Sequence, residues 1–445
     1  MKITKIHLQN VGVFEDTTIK FPSHHEGENG TDIHIFTGQN GSGKSTLLLA
    51  LISSFLPKLP TYENSHSLLP NYATHYFLSK RIREYRNPQK NADITTLLQT
   101  VDKKIITNFF NKSYLAKAPT MGVFLYSSNS YQEKLAFPHF DIPLSYAVFI
   151  YSGHRAIIDN NDNNKINVEE HPLKEATNLI KSTTTSQFFK FVKEQIVKSL
   201  WAERKGDTAR VESVNSALNA VKQFIKEVTN LSIEFELDAD DTEKVMLLVA
   251  GQVVDYDALP DGLRSLMSWI ADLLWRLDRT KWENNTSLLE RRILLFLDEI
   301  EVHLHPSWQR KVLPTVQKLF KNAQVFISTH SPFVVNSIDG AFIHRIELEG
   351  KNAKVLPAVV SDNATNIQTV LREIFGISEE FGLEVSDKLD KFLQIKNDIF
   401  ARKEYDRSEF LRLAKSLVAE SEELNLIVAF ELRQLNKKLE ANFVL

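Results

Sequence analysis

A glycine-rich segment between two apolar runs constrains the fold of this chain more than any other feature. The segment fits the pattern G-x-x-x-x-G-K-[ST], with one apolar run at 33–37 before it and another at 47–51 after it. A phosphate-binding loop requires this context of strand, tight turn and helix, because its backbone N–H groups and the helix amino end face a phosphate. Lys44 would then reach the β- and γ-phosphates, and the Ser45 hydroxyl would ligate Mg²⁺. We therefore expect a nucleoside triphosphate at Gly38, Gln39, Asn40, Gly41, Ser42, Gly43, Lys44, Ser45 and Thr46.

Two carboxylates follow another apolar run, at 293–297. Ligands of open α/β sheets bind at the carboxyl ends of the strands, so Asp298 and Glu299 would lie beside the phosphate loop. Asp298 is placed to hold Mg²⁺ through water, and Glu299 is the candidate base that orients the attacking water. His330 closes the next apolar strand, at 325–328, and would point at the γ-phosphate. The competing interpretations are a surface turn for the carboxylate pair and a loop cap for the histidine.

These motifs resemble those of the ABC-type ATPase superfamily, in the branch that includes RecF, SMC heads and OLD-type ATPases. The resemblance rests on 38–46, 297–306 and 328–332 and covers about residues 1–60 and 255–340. It implies an ATPase whose two heads pair face to face, as a dimer or within a higher oligomer, with ATP and Mg²⁺ between them. By this resemblance His330 is the switch histidine, and 301–305 is a loop that touches the opposite subunit. The signature loop, which binds the γ-phosphate held by the other protomer, corresponds to Asp261, Gly262 and Arg264.

Two positions depart from the family pattern. Pro260 stands where the family has a serine that contacts the γ-phosphate, and proline offers neither a hydroxyl nor an N–H. Losing a charge-assisted contact of about 1.5–3 kcal/mol would slow hydrolysis or weaken the closed pair. No glutamine follows the apolar strand at 146–151. Arg155 is the candidate for approaching the phosphates there, and a surface ion pair is the alternative.

The predicted fold class is α/β: an ABC-ATPase head that combines a mixed or parallel sheet, the phosphate loop and flanking helices. We also expect a helical insertion and a helical C-terminal extension, because apolar residues recur at helical spacing over 172–228 and beyond 365. The segment 56–140 shows no regular hydrophobic period. We expect four parts: the first part of the head with the phosphate loop at 1–55, an insertion or lid with a helical subdomain at 56–255, the signature helix, Walker-B strand and switch histidine at 256–345, and a partner-binding extension at 346–445.

The layout of the chain and its tail resemble the PtuA family of Septu anti-phage systems, which also occurs with retrons. That resemblance implies control of a separately encoded HNH nuclease, and in retrons a complex with a reverse transcriptase and its multicopy single-stranded DNA. Long SMC-type arms are not expected, because no heptads persist. The segment 347–354 is better interpreted as a hairpin than as part of an appended nuclease centre. The alternatives are a RecF-like DNA-repair ATPase that binds DNA directly and the motor subunit of a transporter.

Composition limits the cellular location, the metal sites and the DNA-binding modes expected of this chain. The sequence contains no apolar run of about 18 residues and no signal peptide, so we expect no membrane contact. The absence of cysteine excludes disulfides and thiolate zinc sites and fits a cytoplasmic location. His303 and His305 lack the companion ligands of a zinc site. With a net charge of −3, DNA binding would require a partner or a local patch such as the basic cluster at 80–86, for which a solvated helix face is the alternative.

Overall fold

The computed structural model describes residues 2–24, 30–53, 93–99, 105–111, 144, 146–152, 185–238, 244–377 and 381–439. The chain divides into two compact units, Met1–Val370 and Leu371–Leu445. Among the described residues, no helix combines the length and the apolar character needed to cross a bilayer.

Strands and helices are numbered in chain order. The strands are β1 Lys2–Val11, β2 Phe14–Lys20, β3 Asp32–Gly38, β4 Asp93–Gln99, β5 Ile105–Asn111, β6 Ala147–Ser152, β7 Ile233–Leu237, β8 Val245–Val249, β9 Gln252–Val254, β10 Ile293–Asp298, β11 Ala323–Ser328, β12 Phe342–Glu349, β13 Asn352–Val355 and β14 Val359–Val360. The helices are α1 Lys44–Ser53, α2 Thr185–Arg204, α3 Thr208–Thr229, α4 Asp261–Arg279, α5 Pro306–Leu319, α6 Pro332–Val335, α7 Ile367–Ile374, α8 Leu383–Phe400, α9 Arg407–Glu420 and α10 Glu422–Leu439.

The central sheet of the first unit has the order β13-β12-β3-β11-β10-β6, with β14 beside β12. Strands β12, β3, β11, β10 and β6 run parallel, and β13 and β14 are antiparallel to β12. Every residue of β10 and β11 is buried, as expected for parallel strands covered on both faces. The phosphate loop joins β3 to α1. The predicted α/β fold, with a mixed sheet built around this loop, is thus confirmed.

Helices α1 and α4 cover opposite faces of the central sheet. Successive strand residues point to opposite faces: in β6, Ile150 belongs to the hydrophobic cluster of α1 and β1, whereas Tyr151 contacts Trp269 of α4. The α1 residues from Leu47 to Ile52 are all at most 1% exposed. An antiparallel sheet of order β2-β1-β4-β5 contributes β1 to the same cluster. Helix α1 is therefore held rigidly behind the phosphate loop.

The strand pairing also sets what meets at the carboxyl edge of the sheet. Strand β11 lies between β3 and β10, so the ends of all three are neighbours. Asp298 pairs in register with Ser328, and Ser328 pairs with Phe36, two residues before the glycine loop. Elements that are almost 300 residues apart in sequence thus deliver their last side chains to one place.

The remaining parts of the chain surround this core. Helices α2 and α3 contact the small antiparallel sheet β7-β8-β9, and α3 also contacts α4 and α5. The predicted hairpin at 347–354 is confirmed, since β12 and β13 pair Glu347 with Lys354. Strand β12 runs across the boundary predicted between residues 345 and 346, and otherwise the four-part division stays a prediction. In the second unit, helices α8–α10 enclose a core in which Phe392 stacks on Phe410 at 4.9 Å.

Candidate nucleotide-binding site

The phosphate loop is shaped by close contacts at two glycines that have positive φ. Gly38 has φ +155°, and a Cβ there would lie 2.2 Å from the carbonyl oxygen of Ile346. Gly43 has φ +100°, and a Cβ there would lie 2.6 Å from Val13. Gln39, Asn40 and Gly41 form the exposed crown of the loop, whereas Ser42 and Thr46 are buried beneath it. The loop thus exposes Gln39, Asn40 and Gly41, whereas Lys44 is buried.

Lys44 is folded back onto the loop that precedes it. Its Nζ donates hydrogen bonds to the carbonyl oxygens of Gly38 and Gln39, each at 3.0 Å. Burial lowers the pKa of the Lys44 ammonium, while the carboxylates of Glu299, Asp298 and Glu301 favour its charged form. The ammonium is therefore held between the loop and three acidic groups, where a phosphate oxygen can replace the carbonyl partners.

Asp298 is the meeting point of the phosphate loop and the strand ends. Its Oδ1 accepts a hydrogen bond from Ser45 Oγ at 3.1 Å, although the two residues are 253 positions apart. The Ser328 hydroxyl donates to the same oxygen. A carboxylate next to a serine hydroxyl supplies the hard oxygen ligands that Mg²⁺ prefers. The two residues predicted to hold Mg²⁺, Ser45 and Asp298, are thus brought together.

Glu299 is fixed through its backbone. Its N–H donates to both the carbonyl oxygen and the hydroxyl of Ser328, each at 3.0 Å. Its φ of +51° is left-handed, a conformation that costs a non-glycine residue energy and concentrates at functional sites. Glu299 is thus anchored in a strained conformation directly after Asp298.

His330 completes the cluster at the end of β11. Burial lowers the pKa of its imidazole, the charge of Lys44 lowers it further, and Glu299 and Asp298 act in the opposite direction. The ring is therefore neutral at pH 7. The His330 backbone N–H donates to Glu301 Oε1 at 2.6 Å. Burial raises the pKa of Glu301, and this bond opposes the rise.

A loop at 299–305 connects the site to helix α5, and it contains contacts that the sequence did not predict. Gln309 of α5 accepts a bond from Ser331 Oγ at 2.5 Å and donates to the carbonyl oxygen of Leu304 at 2.8 Å. Glu301 and Gln309 thus attach this loop to the residues around His330. Ser328 and Gln309 are functional candidates to which motif patterns alone assigned no role, whereas Glu301 belongs to the loop that the resemblance predicted to touch the opposite subunit. His305 caps α5 by accepting a bond from Ser307 N–H at 3.2 Å.

The predicted signature residues lie beside this loop. Pro260 is the N-cap of α4, and Arg264 pairs with Asp261 in its first turn. A Cβ on Gly262 would lie 2.5 Å from the carbonyl oxygen of His303. The backbone of His303 is left-handed, with a φ of +65°. Among the described residues, the hydrogen bonds of Lys44 go to Gly38 and Gln39, and none reaches Asp261, Gly262 or Arg264. Arg155 and the basic cluster at 80–86 lie outside the described residues.

Comparison with known proteins gives consistent family matches. A family model described as "AAA domain, putative AbiEii toxin, Type IV TA system" matches residues 155–336, and an "AAA domain" model matches 1–70. The "Retron Ec83 probable ATPase" of Escherichia coli is 33% identical over 146 residues, which are 33% of this chain and 26% of that protein. The "Septu protein PtuA" of Bacillus thuringiensis is 25% identical over 223 residues, which are 48% of this chain and 55% of that protein.

The chain thus spans only about a quarter to about half of these curated relatives. Among solved structures, the "SMC head domain from Thermotoga maritima" superposes with a TM-score of 0.40 at 14% identity, covering 81% of this chain and all of that one. By these matches the chain is similar to AAA-domain proteins, to the PtuA proteins and to the retron ATPases, and the residues assembled at its strand ends fit that similarity.

Proposed function

We propose that this protein binds ATP with Mg²⁺ between two paired heads, hydrolyses it slowly, and uses that cycle to control a separately encoded nuclease in anti-phage defence. The observation that carries the ATPase part is the bond between Ser45 Oγ and Asp298 Oδ1, 3.1 Å long. It joins the phosphate loop to the acidic strand end, and a nucleotide site of this class requires both.

The donor set fits the expected cofactor. Ser45 and Asp298 would hold Mg²⁺, with Asp298 acting through water. Bound there, Mg²⁺ would neutralise charge on the β- and γ-phosphates. The N–H groups of the loop and Lys44 would hold the phosphates of ATP in line with the acidic pair.

The hydrolytic roles follow from protonation and geometry. Glu299, next to Asp298, would orient a water and accept its proton as the γ-phosphate is attacked. The neutral His330 ring would donate a hydrogen bond to that phosphate. The carboxylates of Glu299, Asp298 and Glu301 favour the charged form of Lys44, which would stabilise the phosphate oxygens.

The pairing of heads is supported by how the signature residues are placed. Gly262 and His303 pack together, so α4 and the loop at 299–305 present one combined surface. On this proposal, Asp261, Gly262 and Arg264 of one head face the γ-phosphate held by the other. The missing serine at Pro260 makes hydrolysis slow relative to binding.

The defence role rests on the relatives. Two of them are named for Septu PtuA and for a retron ATPase. We propose by analogy an HNH nuclease as the controlled enzyme, with a reverse transcriptase and its multicopy single-stranded DNA as further partners if the gene belongs to a retron. The residues from 346 onwards, with the compact unit Leu371–Leu445, are the proposed partner-binding region.

Lys44→Ala and Glu299→Gln test this proposal. Lys44→Ala should lose ATP binding in an equilibrium assay, whereas Lys318→Ala, an exposed lysine on α5, should bind as the wild type does. Glu299→Gln should retain ATP and accumulate as a stable pair in light scattering. Unchanged affinity in Lys44→Ala, or normal turnover in Glu299→Gln, would refute the assigned roles.

The defence part needs a second measurement. Where an HNH nuclease gene lies beside this one, co-expression of the two should give a complex whose DNA cleavage depends on Lys44. DNA binding by the purified protein alone, with a steep dependence on salt, would instead favour the RecF-like function.

A further inference from the structure

A buried polar network joins strand β6 to the middle of helix α4. The Tyr151 hydroxyl donates to Asp272 Oδ2 at 2.8 Å, and Arg276 Nε donates to the same oxygen at 2.7 Å. Tyr151 is 9%, Asp272 4% and Arg276 8% exposed. Asp272 Oδ1 is buried and has no hydrogen-bond partner among the described residues.

This network does not stabilise the fold efficiently. A buried carboxylate with one unsatisfied oxygen carries a desolvation cost, and apolar side chains of similar volume would fill the same space at least as well. Aromatic rings pack beside the network: the ring centroid of Tyr151 lies 6.1 Å from that of Trp269, and Trp269 packs edge-on against Phe224 at 5.1 Å. The network instead fixes the orientation of α4 relative to β6, because hydrogen bonds restrict that orientation more narrowly than apolar packing does.

Both ends of this connection lead to the proposed ATPase site. Tyr151 pairs in register with Leu297, the residue before Asp298. Helix α4 begins at the signature residues, and Gly262 lies ten residues before Asp272. At about 1.5 Å per residue, this separation is about 15 Å along the helix, so a tilt of about 4° at Asp272 would move Gly262 by about 1 Å. Displacements of that size can cost about a hundredfold in rate when they misplace a catalytic contact.

We propose that Tyr151 and Asp272 are positioning residues for the site in trans: they set the angle of α4 and thereby place the signature loop against the nucleotide of the partner head. The inference rests on the proposed function, since it assumes ATP hydrolysis between two heads. It assigns these residues no contact with ATP.

Tyr151→Phe is the direct test, because it removes the hydroxyl and keeps the ring. We expect kcat to fall about tenfold, which corresponds to about 1.4 kcal/mol. The dissociation constant for ATP should stay within about twofold of the wild type, because Lys44 and the loop are untouched. Tyr146→Phe is the matched control: it alters a buried tyrosine just before the same strand, on the α1 side, and should leave kcat within about twofold. Melting temperatures of the two variants report whether either loses stability.

Mixed pairs separate a trans effect from a structural one. A Lys44→Ala protomer cannot use its own site but still presents its α4 to a wild-type partner. In heterodimers isolated with two different affinity tags, adding Tyr151→Phe to that protomer should lower turnover at the wild-type site about tenfold, whereas adding Tyr146→Phe should not. Equal turnover in both mixtures, or a Tyr151→Phe defect confined to ATP affinity, overturns the inference while leaving the proposed function standing. Failure of the wild type to hydrolyse ATP, or of Lys44→Ala to lose it, overturns both.

Discussion

Replacing Ser328 with alanine removes one hydroxyl from the centre of the site and almost no volume. That hydroxyl donates to Asp298 Oδ1 and accepts the Glu299 N–H. Glu299 N–H keeps a second acceptor, the Ser328 carbonyl oxygen at 3.0 Å, and Asp298 keeps the bond from Ser45. The net loss is therefore one hydrogen bond to a charged group, for which the lower end of the usual range, about 1.5 kcal/mol, is appropriate. This value corresponds to about a tenfold fall in kcat/KM.

The Mg²⁺ dependence of turnover in this variant is as informative as the size of the rate loss. Since Ser328 orients Asp298, the variant should need more Mg²⁺ for half-maximal turnover, and raising Mg²⁺ should recover part of the rate. Steady-state ATP hydrolysis over a Mg²⁺ titration measures both effects. Ser199→Ala is the matched control, because Ser199 of α2 is also a buried serine. Its hydroxyl accepts a hydrogen bond from Asn215 of α3 at 2.8 Å. An unchanged Mg²⁺ dependence in Ser328→Ala, or the same loss in Ser199→Ala, would contradict the reasoning.

Two further predictions concern packing and pH. Gly262→Ala places a Cβ 2.5 Å from the His303 carbonyl oxygen, and such overpacking costs about 1–3 kcal/mol. We expect turnover to fall at least about tenfold with ATP affinity retained; Gly382→Ala, whose Cβ would meet nothing within 4 Å, should have no effect on either. Burial lowers the pKa of His344 from 6.5 to about 4. Between these two pH values, His344 is therefore protonated in the unfolded chain but neutral in the folded protein. Stability should therefore fall as the pH drops from about 6.5 towards about 4, with about 2 kcal/mol lost to this group between about pH 7.5 and about pH 5. Urea unfolding should show a smaller loss in His344→Gln, and an identical loss would refute the assignment.

The sequence predicted the parts of the site whose positions follow from local pattern. A strand, a glycine turn and a helix fix where Lys44 and Ser45 lie, and an apolar run fixes where Asp298 lies. Parallel strands then bring their carboxyl ends to one edge, so the meeting of Ser45 with Asp298 across 253 residues follows from fold class alone. Ser328 was missed because its role depends on register, which places it level with Asp298.

Other features have no local signal at all. Strands β4 and β5 lie in the stretch without a regular period, and β4 is ordered against β1, whose residues are about 90 positions away. The left-handed conformations of Glu299 and His303 cannot be read from sequence, since neither residue is glycine. Both are imposed by tertiary contacts, with Ser328 holding Glu299 and Gly262 leaving room for the carbonyl of His303. Long-range contact overrides local preference at these positions, which is where strained residues of functional sites occur.

The loop at 299–305 therefore has a physical role that its residues alone do not reveal. Glu301 ties it to the backbone of His330, and its His303 carbonyl leaves no room for a side chain on Gly262. A packed contact of this kind transmits displacement rather than absorbing it, because protein interiors are close to incompressible. If loss of the γ-phosphate moves His330, the same movement reaches the first turn of α4, the surface proposed to face the partner's ATP. If the heads pair as proposed, the nucleotide state of one head would alter the groups it offers to the other, and the two sites would hydrolyse as a coupled pair.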